Sequence, residues 1–431
     1  MNFNESVSYL YSLGNEVLAM KFGLETIRTL ADALDNPQQK SPAVHIAGTN
    51  GKGSTAAMTD AILRAAGYRT GLYTSPNLIS ITERFSVDGH EIKESDFARL
   101  ATTVRTAGDQ LVADGLFVTP PTFFEQITMI AYLHFAECKV DIAVLEVGMG
   151  GRLDATNICQ PVVTAITPVG FDHQQYLGNT LAEISSEKAG IIKPGIPVII
   201  APQDDEAMQT IAARAAYLNA PLIPVSDEFI AEPGTEFGRY RLRFRQHDAL
   251  LALRGRHQAT NAMTAIYIAD QLNQSGWKIE RPAIEAGLSN TVWPCRLQLI
   301  QSPNTFTPSL LLDGAHNVAG ARVLREFLDD HCRHVPITMI FGVMQDKAPL
   351  EMARILFPAA RKVILTKANS PRAAQPQALA RELAPLHNGL TCAASLPEAL
   401  AEASRDSMPN QLILICGSLY LAGEALAFTN K

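Results

Sequence analysis

One stretch of the chain, residues 43–58, has the residue types and spacing that suit the binding of a phosphate chain. An apolar run ends at Gly48, and the short turn that follows carries Lys52 between two glycines before a helical pattern begins. Small residues let backbone N–H groups converge on phosphate oxygens, and the helix start and the lysine add positive charge. The strict Walker A spacing fails at two positions, so Ser54 or Thr55 must supply any metal-facing hydroxyl. We predict a phosphate-binding loop here, with an ordinary glycine-rich turn as the alternative.

Ionisable side chains occur at four further places. Glu146 ends an apolar run before a GMGG turn, where a carboxylate can hold a hard cation or merely cap the turn. His173 follows the next strand, as a ligand in the same cleft or as a structural histidine. Lys188 lies among apolar residues of a helix, where the alternative is a surface lysine with a buried stem. Asp313 and His316, within DGAHN, follow a later strand, where a turn with a helix N-cap is the alternative.

These residues require a scaffold that brings strand ends together. Continuous apolar runs predict strands buried on both faces, at residues 140–147, 162–167 and 196–201. The apolar run 43–47 predicts the strand before the phosphate loop, and a short strand is predicted at 70–74. Helical patterns separate them, and Thr180 with Glu183 predicts a capping box before the helix from Leu181. Alternating strands and helices predict a doubly wound parallel sheet with ligands beyond the carboxyl ends of its strands, where Ser75 and Glu146 both fall.

A second α/β series follows the first. Residues 226–256 have a β-like alternating pattern, a helix is predicted over 258–273, and we place the domain boundary near 294. Further strands are predicted at residues 310–313, 337–342, 363–366 and 412–416, with helices from Val318 and near 374–384 and 396–404. The chain thus divides into predicted domains 1–294 and 295–431.

Bulk properties exclude several classes of protein. The 431 residues favour two domains, and 47% apolar with 18% charged residues is a globular composition. A net charge of −7 argues against nucleic acid as a partner. The six cysteines form no CxxC pair, no apolar run reaches membrane-spanning length, and the N-terminus lacks a signal-peptide pattern. We expect a cytoplasmic protein that is a monomer and acts on small molecules, without a membrane.

The motifs, taken in order, resemble a known family. They are GTNGKGS, YTSPNL, LEVGMGGRLDATN, FDHQQYLG, SEKAGIIK, HQATNA, WPCRL, DGAHN and SPRA. Over nearly the whole chain they resemble folylpolyglutamate synthases and the bifunctional dihydrofolate/folylpolyglutamate synthases of the Mur ligase superfamily. The resemblance implies an α/β protein: a Mur-ligase-type P-loop ATPase domain with a mostly parallel sheet, plus a smaller Rossmann-like C-terminal domain. ATP and the substrate would occupy the cleft between them.

The resemblance also implies roles for particular residues. The nucleotide would contact Asn50, Gly51, Lys52, Gly53, Ser54, Asn261, Arg296 and Asp313. Magnesium, at two sites, would be held by Ser54, Ser75, Glu146, His173 and Lys188. The catalytic group would be Lys52, Lys188 and His316, and a pterin pocket would contain Thr122, Phe124 and Asp154. A carbamate on Lys188 would turn a cation into an anion that can hold magnesium, whereas Asp154 can also be a turn-former. Cys295 replaces the glycine usual in WPCRL, which leaves the local backbone uncertain.

The implied activity is ATP-dependent amide formation. A substrate carboxylate attacks the γ-phosphorus of MgATP, and the α-amine of L-glutamate then attacks the acyl phosphate. The acceptor would be a reduced folate, and dihydropteroate as well if the enzyme is bifunctional. The alternatives are a folylpolyglutamate synthase without the second activity, a Mur ligase for a nucleotide-linked precursor, and a P-loop ATPase or switch. About 42 residues precede the loop, fewer than the N-terminal domain of a Mur ligase of that kind requires.

Overall fold

The computed structural model describes residues 1–14, 23–302, 307–405 and 408–429. Its helices are α1 (Phe3–Ser12), α2 (Glu25–Ala33), α3 (Lys52–Ala65), α4 (Glu94–Ala113), α5 (Phe123–Glu137), α6 (Gln174–Leu177), α7 (Leu181–Ala189), α8 (Asp205–Tyr217), α9 (His257–Gln274), α10 (Arg281–Asn290), α11 (Val318–His331), α12 (Pro349–Leu356), α13 (Pro376–Leu383), α14 (Leu396–Arg405) and α15 (Leu419–Thr429). None of the helices in these ranges is both long enough and apolar enough to span a bilayer.

A large sheet organises the first half of the chain. Its strands are β1 (Ala43–Ala47), β2 (Thr70–Tyr73), β3 (Phe85–Val87), β4 (His90–Glu91), β5 (Ile142–Glu146), β6 (Pro161–Ile166), β7 (Val198–Ile200) and β8 (Leu222–Pro224). Within the described residues they lie in the order β4-β3-β2-β5-β1-β6-β7-β8. Pairing is parallel from β2 to β8, whereas β3 and β4 pair antiparallel at one edge. The predicted, mostly parallel sheet is confirmed.

The central strand β1 is buried on both faces along its whole length, including His45. Val44 and Ile46 pack into a cluster with α3 and α9, and Ala47 packs on the opposite side near α7. Strands β2, β5, β1 and β6 are neighbours, so the loops that follow them meet at one edge of the sheet. The sequence prediction that the loops after these strands converge is thereby confirmed.

Two helices beside that edge begin with capping boxes. At α7 the Thr180 side chain accepts from the Glu183 N–H and Glu183 accepts from the Thr180 N–H, as predicted. At α5 Thr122 and Glu125 form the same arrangement. Each box satisfies N–H groups that the first helical turn leaves without partners. These caps fix where α5 and α7 begin.

A small antiparallel sheet follows the large one, in agreement with the β-like pattern of residues 226–256. It consists of β9 (Ile230–Pro233), β10 (Tyr240–Phe244) and β11 (His247–Leu250). In β10 the residues alternate between buried Tyr240, Leu242 and Phe244 and the exposed Arg241 and Arg243. This alternation is the period of a strand with one face on the core.

A third sheet organises the C-terminal part. Its strands are β12 (Gln298–Ile300), β13 (Ser309–Leu312), β14 (Ile337–Phe341), β15 (Lys362–Leu365), β16 (Leu390–Cys392) and β17 (Leu412–Cys416), in the order β12-β13-β17-β14-β15-β16. Pairing is parallel except between β12 and β13. Apolar clusters cover both of its faces. The boundary at 294/295 falls in the connection from α10 to β12 and stays a prediction.

Candidate active site

One cavity of about 530 Å³ lies where the large sheet and the third sheet face each other. Loops beyond the carboxyl ends of β1, β2, β5 and β6 line it on one side, and loops that follow β13, β14, β15 and β17 line it on the other. All the predicted site residues contribute to its wall. They are Asn50, Gly51, Lys52, Gly53, Ser54, Ser75, Thr122, Phe124, Glu146, Asp154, His173, Lys188, Asn261, Arg296, Asp313 and His316.

The predicted phosphate loop joins β1 to α3. Gly51 has φ +85, and a Cβ there would collide with the side chain of Asn261, so the loop backbone passes close to α9. The helix starts at Lys52, whose Nζ donates to the Thr49 carbonyl at 3.3 Å. N–H groups in the first turn of a helix have no acceptor within it. Because these N–H groups and the lysine line one cavity, the loop is suited to an anion.

Lys188 lies in the last turn of α7, buried against this loop. Its Nζ donates to the Gly48 carbonyl at 2.8 Å, and only 3% of the residue is exposed. Burial, with the nearby charge of Lys52, lowers the pKa of Lys188 to about 7. Near neutral pH a large fraction of this amine is therefore uncharged and nucleophilic.

Glu146 ends β5 as a buried carboxylate, 5% exposed. Burial raises its pKa, an effect that the Lys52 charge partly offsets. Among the described residues, the Ser75 N–H at 3.2 Å is its one hydrogen-bond donor. His173, in the left-handed conformation with φ 50, has a buried Nδ1 with no hydrogen-bond partner in the described part of the chain. An under-satisfied carboxylate and a free ring nitrogen are the donors that a bound cation would satisfy.

The second α/β unit closes the cavity with the DGAHN segment. Asp313 accepts from the N–H groups of Leu297 at 3.0 Å and Ala315 at 2.9 Å, so its carboxylate fixes this turn. Burial raises the pKa of Asp313 and lowers that of His316 to about 4. His316 Nδ1 is 2.8 Å from the Gly314 carbonyl, which the neutral ring satisfies as a donor. Both readings of DGAHN thus apply, since its residues form a turn and line the cavity.

Cys295 lies in the left-handed region with φ 56, where the usual glycine would be unstrained. Its carbonyl accepts from Gly314 N–H at 2.9 Å and from the Arg296 guanidinium at 3.1 Å. The backbone at Cys295 therefore adopts the left-handed conformation that a glycine would adopt there. Arg296 lines the cavity.

The predicted pterin residues occupy another part of the wall. Phe124 packs over Gly148 so closely that a Cβ at that glycine would overlap its ring. Thr122 caps α5, and its hydroxyl is committed to Glu125. Asp154 caps a short 3-10 turn, Ala155–Ile158, and accepts from Met149 N–H at 2.9 Å. Its role as a turn-former is therefore present, and its carboxylate also borders the cavity.

A charged contact that was not predicted from the sequence crosses the cavity. Asp172, from the loop after β6, accepts from Lys347 Nζ at 2.6 Å and from the Asn317 amide at 3.0 Å, and His316 Nε2 lies 3.7 Å away. Burial opposes ionisation of Asp172, but the neighbouring His173, Lys347 and His316 lower its pKa. The large sheet and the third sheet are thus joined by a buried ion pair.

Some of the cavity residues that were not predicted stand inside sequence motifs, and others do not. Asp172 and Asn317 stand inside the quoted motifs FDHQQYLG and DGAHN, beside the histidines that were singled out. Gln258, at the start of HQATNA, lies 3.4 Å from Ser54 Oγ and accepts from the Asn261 amide at 2.8 Å. Lys347 belongs to no motif, although it follows the predicted strand 337–342, at the same edge of the third sheet as DGAHN.

Known proteins resemble this chain over nearly its full length. Family models match residues 46–269, as the Mur ligase middle domain, and residues 295–419, as the Mur ligase glutamate ligase domain. The dihydrofolate synthase/folylpolyglutamate synthase of Bacillus subtilis (strain 168) is 35% identical over 421 residues, 95% of this chain and 96% of the relative. The folylpolyglutamate synthase of Lacticaseibacillus casei is 36% identical over 430 residues, which are 98% of this chain and 97% of the relative.

A solved structure extends the similarity to the fold. That of Mycobacterium tuberculosis folylpolyglutamate synthase complexed with ADP superposes with a TM-score of 0.91 at 31% identity, over 100% of this chain and 99% of that one. Sequence, domain order and fold agree with the resemblance carried by the motifs. The chain belongs to the dihydrofolate synthase/folylpolyglutamate synthase family of Mur ligases.

Proposed function

We propose that this protein uses ATP to ligate L-glutamate onto the carboxylate of a folate, through an acyl phosphate. The observation that carries the proposal is the single cavity whose wall combines a phosphate loop, buried Glu146 and Lys188, and the DGAHN segment of the second α/β unit. Membership of the family supports the same reaction, and the ADP-bound relative supports ATP as the nucleotide.

The reaction has two steps. An oxygen of the acceptor carboxylate attacks the γ-phosphorus, forming an acyl phosphate and releasing ADP. The α-amine of L-glutamate then attacks the acyl carbon, the amide bond forms, inorganic phosphate leaves and the amine loses a proton. Lys52 and the N-terminus of α3 offset the charge that spreads over the transferred oxygens. Asn261, Arg296 and Asp313 are proposed to contact the nucleotide, and His316 to lie beside the reacting groups.

Magnesium is proposed to be held by Glu146, His173, Ser75, Ser54 and Lys188. No group of three or more His, Cys, Asp or Glu side chains that could hold a metal is found in the described ranges, so hydroxyls and a modified Lys188 would complete the set. When bound, magnesium supplies positive charge beside the phosphates.

A carbamate on Lys188 would supply a further anionic ligand. The neutral amine attacks CO₂, a C–N bond forms, and one proton is released to solvent. The lowered pKa of Lys188 leaves the amine free to react near neutral pH. The modification would also remove the cost of burying a cation beside Lys52.

The acceptor is proposed to be both dihydropteroate and tetrahydrofolate. Thr122, Phe124 and Asp154 would hold the pterin, with the ring stacked on an aromatic face and its nitrogens near a carboxylate. The second candidate is a folylpolyglutamate synthase without the dihydropteroate activity. Relatives of both names resemble the chain to nearly the same degree, so the names do not decide between them.

We infer that small molecules are the partners, since a net charge of −7 disfavours nucleic acid. A monomer in the cytoplasm, without membrane association, is the arrangement that we expect. Sedimentation of the purified protein with and without substrates checks the monomer.

Phosphate release tests the proposal. It is measured with MgATP and L-glutamate, together with dihydropteroate, with tetrahydrofolate, or with neither. We expect release with both acceptors; release with tetrahydrofolate alone would support the monofunctional candidate. Equal release without any acceptor would contradict ligation and favour an ATPase.

A further inference from the structure

A buried histidine lies in the middle of β1, beneath the cavity. His45 is fully buried, and in the sheet it is flanked by Leu145 of β5 and Thr164 of β6. Its Nε2 lies 2.8 Å from the hydroxyl of Thr156, which is also fully buried. Thr156 belongs to the 3-10 turn that Asp154 caps. A polar chain therefore runs from the core of the sheet to the cavity wall.

The direction of the hydrogen bonds follows from the number of protons. The Thr156 hydroxyl has one proton, which it donates to Asp154 Oδ1. It must therefore accept from His45 Nε2–H, so the ring proton is on Nε2 and Nδ1 carries none. Burial lowers the pKa of His45 to about 3, which keeps the ring neutral in this arrangement. Nδ1 has no hydrogen-bond partner within the described residues.

A histidine at this position is costly for the sheet. Its neighbours along β1, Val44 and Ile46, are apolar, and an apolar side chain would leave no unpaired nitrogen in the core. Among the residues that the structure describes, the one polar contact of the ring leads to Thr156 and from there to Asp154. The cost of burying His45 is explained if the orientation of the Asp154 carboxylate is important for binding a ligand in the cavity.

Asp154 is held by several donors at once. Oδ1 accepts from both the N–H, at 3.0 Å, and the hydroxyl of Thr156, and Oδ2 accepts from Met149 N–H at 2.9 Å. With His45 fixing the hydroxyl, the carboxylate has one orientation relative to the cavity. Binding of a ligand that pairs with this carboxylate then involves no further loss of side-chain entropy.

We propose that His45 and Thr156 are positioning residues that hold the Asp154 carboxylate for the pterin ring of the acceptor. This inference rests on the proposed function, because the pterin is the group that Asp154 would recognise. The two residues touch neither substrate. They act through Asp154 and leave the nucleotide and glutamate sites unaffected.

The test removes the hydroxyl and keeps the volume. In Thr156→Val we expect the Kd for dihydropteroate and the KM of ligation for it to rise about tenfold, the scale of a lost hydrogen bond to a charged group. The KM values for ATP and L-glutamate should stay within twofold. Thr156→Ser, which retains the donor, should restore wild-type values. Thr59→Val is the matched control, because this buried α3 hydroxyl donates to the Thr55 carbonyl at 2.8 Å and contacts neither His45 nor Asp154.

A second measurement needs no variant. The ¹⁵N spectrum of histidine-labelled wild type should show His45 protonated at Nε2 and not at Nδ1, and a ring protonated at Nδ1 would overturn the proposed hydrogen-bond direction. Unchanged pterin binding in Thr156→Val, or an equal rise in all three KM values, would overturn the positioning role. The proposed function would still hold as long as the wild type ligates glutamate. A wild type that ligates neither acceptor would overturn both.

Discussion

Lys188 and Glu146 are ionisable side chains buried at the end of a helix and of a strand, each with a pKa shifted toward its neutral form. Charged groups are rarely kept in such places without a ligand or partner. The proposed magnesium and carbamate explain both at once. Their burial is therefore best explained by what these two side chains bind.

Replacing either residue by alanine should abolish ligation. We expect Lys188→Ala and Glu146→Ala each to lose on the order of 10³-fold in kcat, because charge stabilisation at the phosphoryl group is lost. Circular dichroism should show an unchanged fold. Lys40→Ala, which removes an exposed partner of Asp35, is the control and should keep wild-type turnover. Near-wild-type activity in either active-site variant would refute its assigned role.

Buried histidines predict acid sensitivity. The pKa of His45 is about 3 in the fold, below the unfolded value of about 6.5. The unfolded state therefore binds the extra proton first, so stability present above pH 6.5 is lost as the pH falls toward 3. Between pH 7 and pH 5 the free energy of unfolding should fall in both wild type and His45→Gln. The fall should be about 2 kcal/mol smaller in His45→Gln, because glutamine takes up no proton. Urea unfolding at both pH values measures it, and equal losses would contradict the neutral histidine.

At the scale of elements, the connection from α10 to β12 depends on an unusual backbone. Cys295 adopts φ 56, at a cost of about 1–2 kcal/mol for a residue with a Cβ, and its side chain is fully buried. Glycine removes the strain but loses the packing. Alanine loses packing and keeps the strain.

The order of two variants tests this conformation. Cys295→Gly should be more stable than Cys295→Ala by about 1 kcal/mol, the reverse of the usual preference for alanine over glycine. Urea denaturation of both variants measures the difference. Asn410, also at positive φ but exposed in a turn, provides a matched Gly and Ala pair without the packing term. A more stable alanine variant at 295 would contradict the left-handed backbone.

Much of the element arrangement could be predicted from the sequence. Long apolar runs predicted the central strands, and Thr180 with Glu183 predicted the start of α7. The three-residue strands β12 and β16 were missed because so few residues give no periodicity, and their pairing depends on neighbouring strands. Lys347 was missed for a related reason, since only the folded arrangement of the third sheet brings it to Asp172. Local pattern predicts what a segment forms, whereas contacts across the cavity depend on tertiary packing.

In the whole molecule, the contact between the large sheet and the third sheet is polar where it borders the cavity. Asp172 and Lys347 are each about nine-tenths buried, and their ion pair joins loops of different sheets. A polar contact can be remade in water more cheaply than an apolar one, which suits a cleft that must admit substrates. Closure would keep water from the acyl phosphate.

Weakening this contact should uncouple the two steps. We expect Lys347→Met to release more phosphate than it forms amide, because water reaches the acyl phosphate in a looser cleft. Lys362→Met, which breaks a partly buried pair between β15 and Glu402 of α14, should keep the ratio near one. A variant stiffened near residues 293–297 should also uncouple. Normal coupling in both would refute closure as the protection.

In the proposed mechanism the acceptor carboxylate attacks ATP, so one of its oxygens must end in the released phosphate. Tetrahydrofolate labelled with ¹⁸O in its γ-carboxylate is turned over with MgATP and L-glutamate, and the released phosphate is analysed by mass spectrometry. We expect one ¹⁸O in each phosphate, with one amide formed for each. Phosphate without ¹⁸O would mean that water attacks ATP, and it would contradict the acyl phosphate and the ligase mechanism.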